Sequence, residues 1–207
     1  MKKIFFSILG ISAIFFVACS SGGDKNNQEG QDNNKDTAQH STLSDYKDVK
    51  VVPVTYTNVD GKAAVSINNI VDHYLQIKNA LANDNGTEAA AGAKAMNDVV
   101  RKLDKSLLTS EQKKIYDAIE ADLKEHADHI GKNGNNIKHQ RSYFSMMSQD
   151  IYDLAKAFGG GRALYHDHCP MYDENKGAMW LSESIEIKNP YYGAEMLTCG
   201  RVEEIIK

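Results

Sequence analysis

The sequence predicts a mainly α protein, a four-helix up-down bundle followed by a short irregular or β C-terminal module. Three observations carry that expectation. Between residues 66 and 158 apolar side chains recur three or four apart, the period of a helix with one buried face. Short polar breaks interrupt this pattern, at Asn83-Asp84-Asn85-Gly86, at Thr109 and at Gly131 to Asn136. After Gly159-Gly160-Gly161 the helical period is gone, and turn-forming residues alternate with short apolar pieces.

The elements follow in order. Met1-Lys2-Lys3 and the apolar run Ile4 to Ala18 read as an export signal, since roughly fifteen apolar residues fall short of the ~20 that a spanning helix needs. The run ends at Phe16-Val17-Ala18-Cys19, the form of a bacterial lipoprotein cleavage box, so Cys19 is the expected lipidated N-terminus. This division gives a signal peptide at 1–18, a tether at 19–48 and a single domain at 49–207. Ser20 to Thr42 is almost free of apolar residues and cannot bury enough surface to offset its ordering entropy. About 160 residues remain, enough for one hydrophobic core.

Val51-Val52-Pro53-Val54-Thr55-Tyr56 is β-like, but Pro53 lacks a ladder donor, which makes this stretch an edge strand or an extended lead-in. A first helix from about Ser66 aligns Ile67, Ile70, Tyr74, Ile77 and Leu81. A second, capped by Thr87, aligns Ala89, Ala93, Met96, Val100, Leu103 and Leu107. Thr109 and Gln112 have capping-box spacing for a third helix with Ile115, Ile119, Leu123 and Ile130 inward. The fourth carries Ile137, Arg141, Phe144, Ser148, Ile151, Leu154 and Phe158. Short strands or irregular loops are expected at Ala163-Leu164-Tyr165, Met179-Trp180-Leu181 and Ile185-Glu186-Ile187, in a module that starts at about residue 162.

The formal charge of −4 and the lack of a basic cluster or aromatic ladder exclude nucleic acid as an expected partner. No nucleophile with a base and a third orienting residue is recognisable. Cys-x-x-Cys is absent, and the glycine triplet follows a helix instead of opening one, so no enzyme is expected. The chemistry that stands out lies in the last forty residues. His166-Asp167-His168-Cys169-Pro170-Met171 and Met196-Leu197-Thr198-Cys199-Gly200 together hold two thiols, two thioethers and two imidazoles. Sulfur donors suit a soft ion such as Cu(I). Pro170 stiffens the backbone between Cys169 and Met171, an extended Tyr165 to Cys169 sends His166 and His168 to the same side, and Met196 and Cys199 are three apart, as on one helical turn. The candidate ligands are therefore Cys169, Met171, Met196 and Cys199, with His168 and then His166 as auxiliaries. Trp180, Tyr191 and Tyr192 are expected to pack the module onto the bundle, and Asn189-Pro190 with Gly193 to turn the chain back.

With Cys19 lipidated, Cys169 and Cys199 are left in a compartment that permits disulfides. Joining them closes a loop of about 30 residues, worth roughly 3–4 kcal/mol in the chain-entropy model. The alternative reading is therefore a protein-interaction module whose C-terminal loop is locked by a Cys169–Cys199 disulfide. Elsewhere, His126 and His129 are expected on a solvated helix face, His73 on a helix surface, His139 isolated, and Met146-Met147 in the core.

Several stretches carry a family resemblance. Tyr165 to Met171, Gly177-Ala178-Met179-Trp180-Leu181-Ser182, Ile187-Lys188-Asn189-Pro190-Tyr191-Tyr192-Gly193 and Met196 to Gly200, with Ile70 to Leu81 and Arg141 to Ser148 upstream, resemble a domain of unknown function. That domain occurs in envelope lipoproteins and appended to periplasmic adaptor subunits of copper/silver efflux pumps. The Cys-Pro-Met and Cys-Gly pieces are also similar to the short heavy-metal-binding domains of such pumps, although Tyr172 stands where those have His. The resemblance implies handling of copper or a related soft metal by a lipid-anchored protein that faces the periplasm, with an efflux adaptor as partner.

Overall fold

The computed structural model describes residues 49–207, so the signal peptide, Cys19 and the 19–48 tether lie outside the described residues. Helix α1, Gly61–Ala82, begins earlier than the apolar period suggests because the Asp60 carboxylate accepts from the N–H groups of Lys62 and Ala63. A side-chain cap of this kind satisfies donors that the first helical turn leaves orphaned. Ile67, Ile70, Tyr74, Ile77 and Leu81 are buried on one face, as their spacing predicts. Helix α2, Gly86–Lys102, is capped by Asn85, two residues before the expected Thr87. Helix α3, Ser110–Lys132, opens on the predicted capping box: Gln112 N–H donates to Thr109 Oγ1 and Thr109 N–H donates to Gln112 Oε1. Helix α4, Ile137–Phe158, stops at Gly159, whose φ of 78° is left-handed.

Each helix packs on the next, and α1 also meets α4, which closes an up-down bundle. Alanines 89, 90 and 93 of α2 are buried and let its neighbours approach closely. Among the described residues no helix is long and apolar enough to cross a membrane.

The C-terminal module is more regular than its sequence suggests. It forms a four-stranded mixed sheet in the order β1-β4-β2-β3 from β1 (Lys50–Val52), β2 (Leu164–Cys169), β3 (Ala178–Ser182) and β4 (Arg201–Ile206). Strand β1 is an edge, parallel to β4, as Pro53 requires of a strand that cannot continue its ladder. At Ile185-Glu186-Ile187 the irregular loop, not a strand, is what forms. Ser184 N–H turns back to Ser182 Oγ and Glu186 N–H to Ser184 Oγ, a local hydroxyl-capped bend that competes with strand pairing. The last strand, β4, was not expected from the sequence. Strand β3 packs on α4 and α1, with Trp180, Leu181 and Ser182 buried.

Candidate functional site

Strand β2 delivers Cys169 to the interior, where it is completely buried. Its antiparallel partner β3 places Ala178 opposite it and Trp180 opposite Asp167. Between these strands lies a tight left-handed turn, with Asp173, Glu174 and Asn175 all at positive φ (50°, 58° and 66°). Side chains cost roughly 1–2 kcal/mol each in that region, so the sheet pairing on both sides holds a strained connection. Gly177, at φ 83°, completes it; a Cβ there would lie 2.5 Å from His168 Nε2.

The second segment returns through Asn189, whose fully buried side chain organises the turn. Its Oδ1 accepts from the N–H groups of Tyr191 (2.8 Å) and Tyr192 (3.3 Å), and its Nδ2 donates to the carbonyl of Cys199 at 2.7 Å. Asn189 N–H also donates to Leu197 O. Tyr191 is anchored by Met179, whose carbonyl accepts from its hydroxyl, and its ring packs against Phe144 of α4 and edge-on to Trp180. Tyr192 Oη donates to the Met171 carbonyl. Gly200 allows the close approach that follows Cys199, because a Cβ there would be 2.8 Å from Trp180 Cη2.

These turns bring Cys199 Sγ to 3.4 Å from Cys169 Sγ, and both cysteines are free. Cys169 is closed off while Cys199 is half-buried, so the pair opens to solvent on the Cys199 side. Burial, then the hydrogen bond and charge of Cys169, push the Cys199 thiol up to about 11. At neutral pH it is therefore held as a thiol.

Of the other predicted residues, the two methionines stand in the same two segments as the thiols, whereas the alternation of β2 turns His166 and His168 away from the buried face that carries Asp167 and Cys169. Met171 is 45% exposed at the start of the left-handed turn. Met196 is half-buried, and its carbonyl accepts from Cys199 N–H at 3.0 Å, so these two residues do share one turn. His166 and His168 stand with β4 and α4. The His166 ring lies 4.7 Å from that of Tyr152, and His168 Nδ1 is 3.6 Å from Glu203 Oε1. Burial lowers the His166 pKa while Glu203 and Glu204 pull it the other way. Among the described residues no group of three or more His, Cys, Asp or Glu is placed to hold one ion, so the thiols form a pair without a third such donor.

Polar residues that were not among the candidates lie beneath this sheet. Asp167 is fully buried, and burial raises its pKa well above the usual carboxylate value, against the pull of Lys78. Lys78 of α1 is itself 2% exposed; its Nζ reaches Glu183 Oε2 at 3.1 Å and Ser182 Oγ at 3.4 Å. The signal available was the alternation along β2, which puts Asp167 between two histidines and so on the opposite face of an extended chain.

The model of a family described as Protein of unknown function (DUF3347) matches residues 70–162. That span is similar to the DUF3347 family. It includes most of α1 and all of α2, α3 and α4, so this family describes the bundle, and the match ends before Cys169. No curated protein and no solved structure matches the chain. The helical bundle is thus the platform on which the sulfur-bearing sheet is mounted.

Proposed function

We propose that this chain is an envelope lipoprotein, anchored through Cys19 and facing the periplasm, that binds a soft metal ion. The ion is Cu(I), held for buffering or for delivery to an efflux adaptor. The observation that carries this reading is the 3.4 Å separation of the two free thiols, supplied by segments thirty residues apart. Thiolates around one ion with bonds of about 2.3 Å sit about 3.5–4 Å from each other, so a shift of a few tenths of an ångström suffices. Met171 and Met196 supply one thioether from each segment, and soft sulfur donors favour Cu(I) over harder ions. Copper must displace the thiol protons, so apparent affinity declines as pH falls. The role is binding and transfer, with no catalytic residue.

An anaerobic Cu(I) competition titration against a chromophoric chelator tests this. The wild type takes up one equivalent; Cys169→Ala and Cys199→Ala each weaken binding roughly 100-fold, and Met171→Ala and Met196→Ala roughly tenfold, about 1.4 kcal/mol. Affinity unchanged in both cysteine variants sinks the site even if copper binds elsewhere.

The same thiol contact favours a second reading, in which a Cys169–Cys199 disulfide locks the loop of a non-catalytic interaction module. Non-reducing intact mass of protein taken from the envelope separates the two. A stable two-proton deficit with no titratable thiol supports the lock and counts against copper.

A further inference from the structure

The histidines of the α3–α4 hairpin play no part in the sulfur module, yet the fold brings two of them into direct contact. His139, ten residues beyond His129 and across the Asn133–Asn136 turn, is not isolated. His129 Nδ1 and His139 Nε2 are 3.3 Å apart. We propose that this pair is a separate binding site for a borderline divalent transition cation, with Zn(II) as the reference case.

Distance, preorganisation and access support the site. Two imidazole nitrogens bound to a tetrahedral ion at 2.0–2.1 Å lie about 3.3 Å apart, whereas an N–H···N hydrogen bond at that length is at the long end of the usual range. The separation already suits two ligands of one ion, and a small rotation of the rings turns both lone pairs from each other toward it. Tyr143 of α4 stacks on His129 with centroids 3.9 Å apart and planes 5° apart, and it flanks His139 at 4.7 Å, which fixes both ring planes. At the helix end Asn133 Nδ2 donates to the His129 carbonyl at 2.8 Å, and Asn136 Oδ1 accepts from His139 N–H at 3.1 Å, so both backbones are tied as well.

Both residues are half-buried, which leaves an approach for an ion and for the waters that complete its shell. An open groove of about 320 Å³ runs beside His129, and the cations on its wall are engaged: Lys132 by Asp128, Lys124 by Glu120 and Arg101 by Asn97. His126, one turn away, is held by Asp150 at 3.1 Å and stands outside the pair. The protein therefore supplies two donors, and water supplies the rest. Imidazole donors suit Zn(II), Ni(II) and Cu(II), a preference distinct from that of the sulfur pair.

Zn(II) titration of the Cys169→Ala/Cys199→Ala chain, followed through the imidazole nitrogens by NMR and by calorimetry, tests the proposal apart from the thiols. Saturation at one equivalent is expected, with the His129 Nδ1 and His139 Nε2 resonances moving together. His129→Gln and His139→Gln should each weaken binding roughly tenfold or more, with thermal unfolding showing that the variants remain folded. Zn(II) binding that leaves the two rings unshifted, or that is unchanged in the His129→Gln/His139→Gln chain, overturns the site. Failure of Cu(I) binding at the thiols leaves this result untouched.

Discussion

Asn189 shows how much one side chain decides in the sheet module. It makes three side-chain hydrogen bonds from a fully buried position, and one of them goes to the carbonyl of the residue that carries the second thiol. Removing a buried partner leaves the remaining group desolvated without compensation, at about 1–3 kcal/mol. Asn189→Ala is therefore expected to lower stability by about 2 kcal/mol in urea unfolding. It should also weaken Cu(I) binding by releasing Cys199 from its place 3.4 Å from Cys169. A variant with unaltered Cu(I) affinity shows that the thiols do not depend on this turn. Sequence reading found the turn through Asn189-Pro190 and Gly193, because turn chemistry is local. It missed Lys78 and Asp167, because a charged residue advertises burial only through neighbours that the chain brings together later. The His129–His139 pair was hidden for the same reason: spacing reveals partners three or four apart on one helix, not partners on two.

The helices were the most legible elements. Each presents a period of 3.6 over at least seventeen residues, and Thr109 with Gln112 announces α3 by a reciprocal pair of bonds. Strand β4 was illegible because Glu203 and Glu204 interrupt its alternation, and the pairing with β2 shifts register between His166 and Asp167. Glu204 is tolerated there because Lys50 and Tyr152 both bond its carboxylate, at 2.6 Å and 2.5 Å. Sheet and bundle are joined by Tyr74 of α1, whose hydroxyl lies 2.8 Å from Ser148 Oγ of α4 and accepts from the N–H of Leu181 on β3 at 2.9 Å. The hydroxyl thus ties three elements at a point without solvent. Tyr74→Phe keeps the ring that stacks on Phe144 but strands the β3 donor. The expected cost is about 1–3 kcal/mol, read as a lower unfolding midpoint, with amide exchange of Leu181 accelerated before that of the α2–α3 core. A neutral substitution shows that the β3 amide finds another acceptor.

The helical bundle and the sheet are also held together at the bundle end, by Arg141. Its Nε donates to Pro190 O at 2.8 Å, and its Nη2 donates to Leu81 O at 2.9 Å and to Asp84 Oδ1 at 2.6 Å, so one guanidinium gathers the end of α1, the start of α4 and the turn that carries Cys199 back. Asp84 completes the joint by accepting from Ala194 N–H at 2.9 Å. That backbone bond first, and then the bond to Arg141, lower the Asp84 pKa below its ordinary value. A carboxylate depressed in the folded state adds stability at pH above its unfolded value, and the contribution is lost as pH falls through the folded one. Because the Asp84 side chain is 44% exposed, solvent screening keeps the contribution below about 1 kcal/mol. Acidification from pH 6 to below pH 4 should therefore loosen the joint without unfolding the bundle, with amide exchange of Ala194 accelerating ahead of exchange in the helices. Asp84→Asn should flatten that pH dependence. Arg141→Ala, which abandons two carbonyls as well as the carboxylate, should cost about 2–3 kcal/mol at neutral pH and weaken Cu(I) binding through the displaced Cys199 turn. Exchange at Ala194 that is independent of pH in the wild type shows that the joint does not rest on the ionised carboxylate.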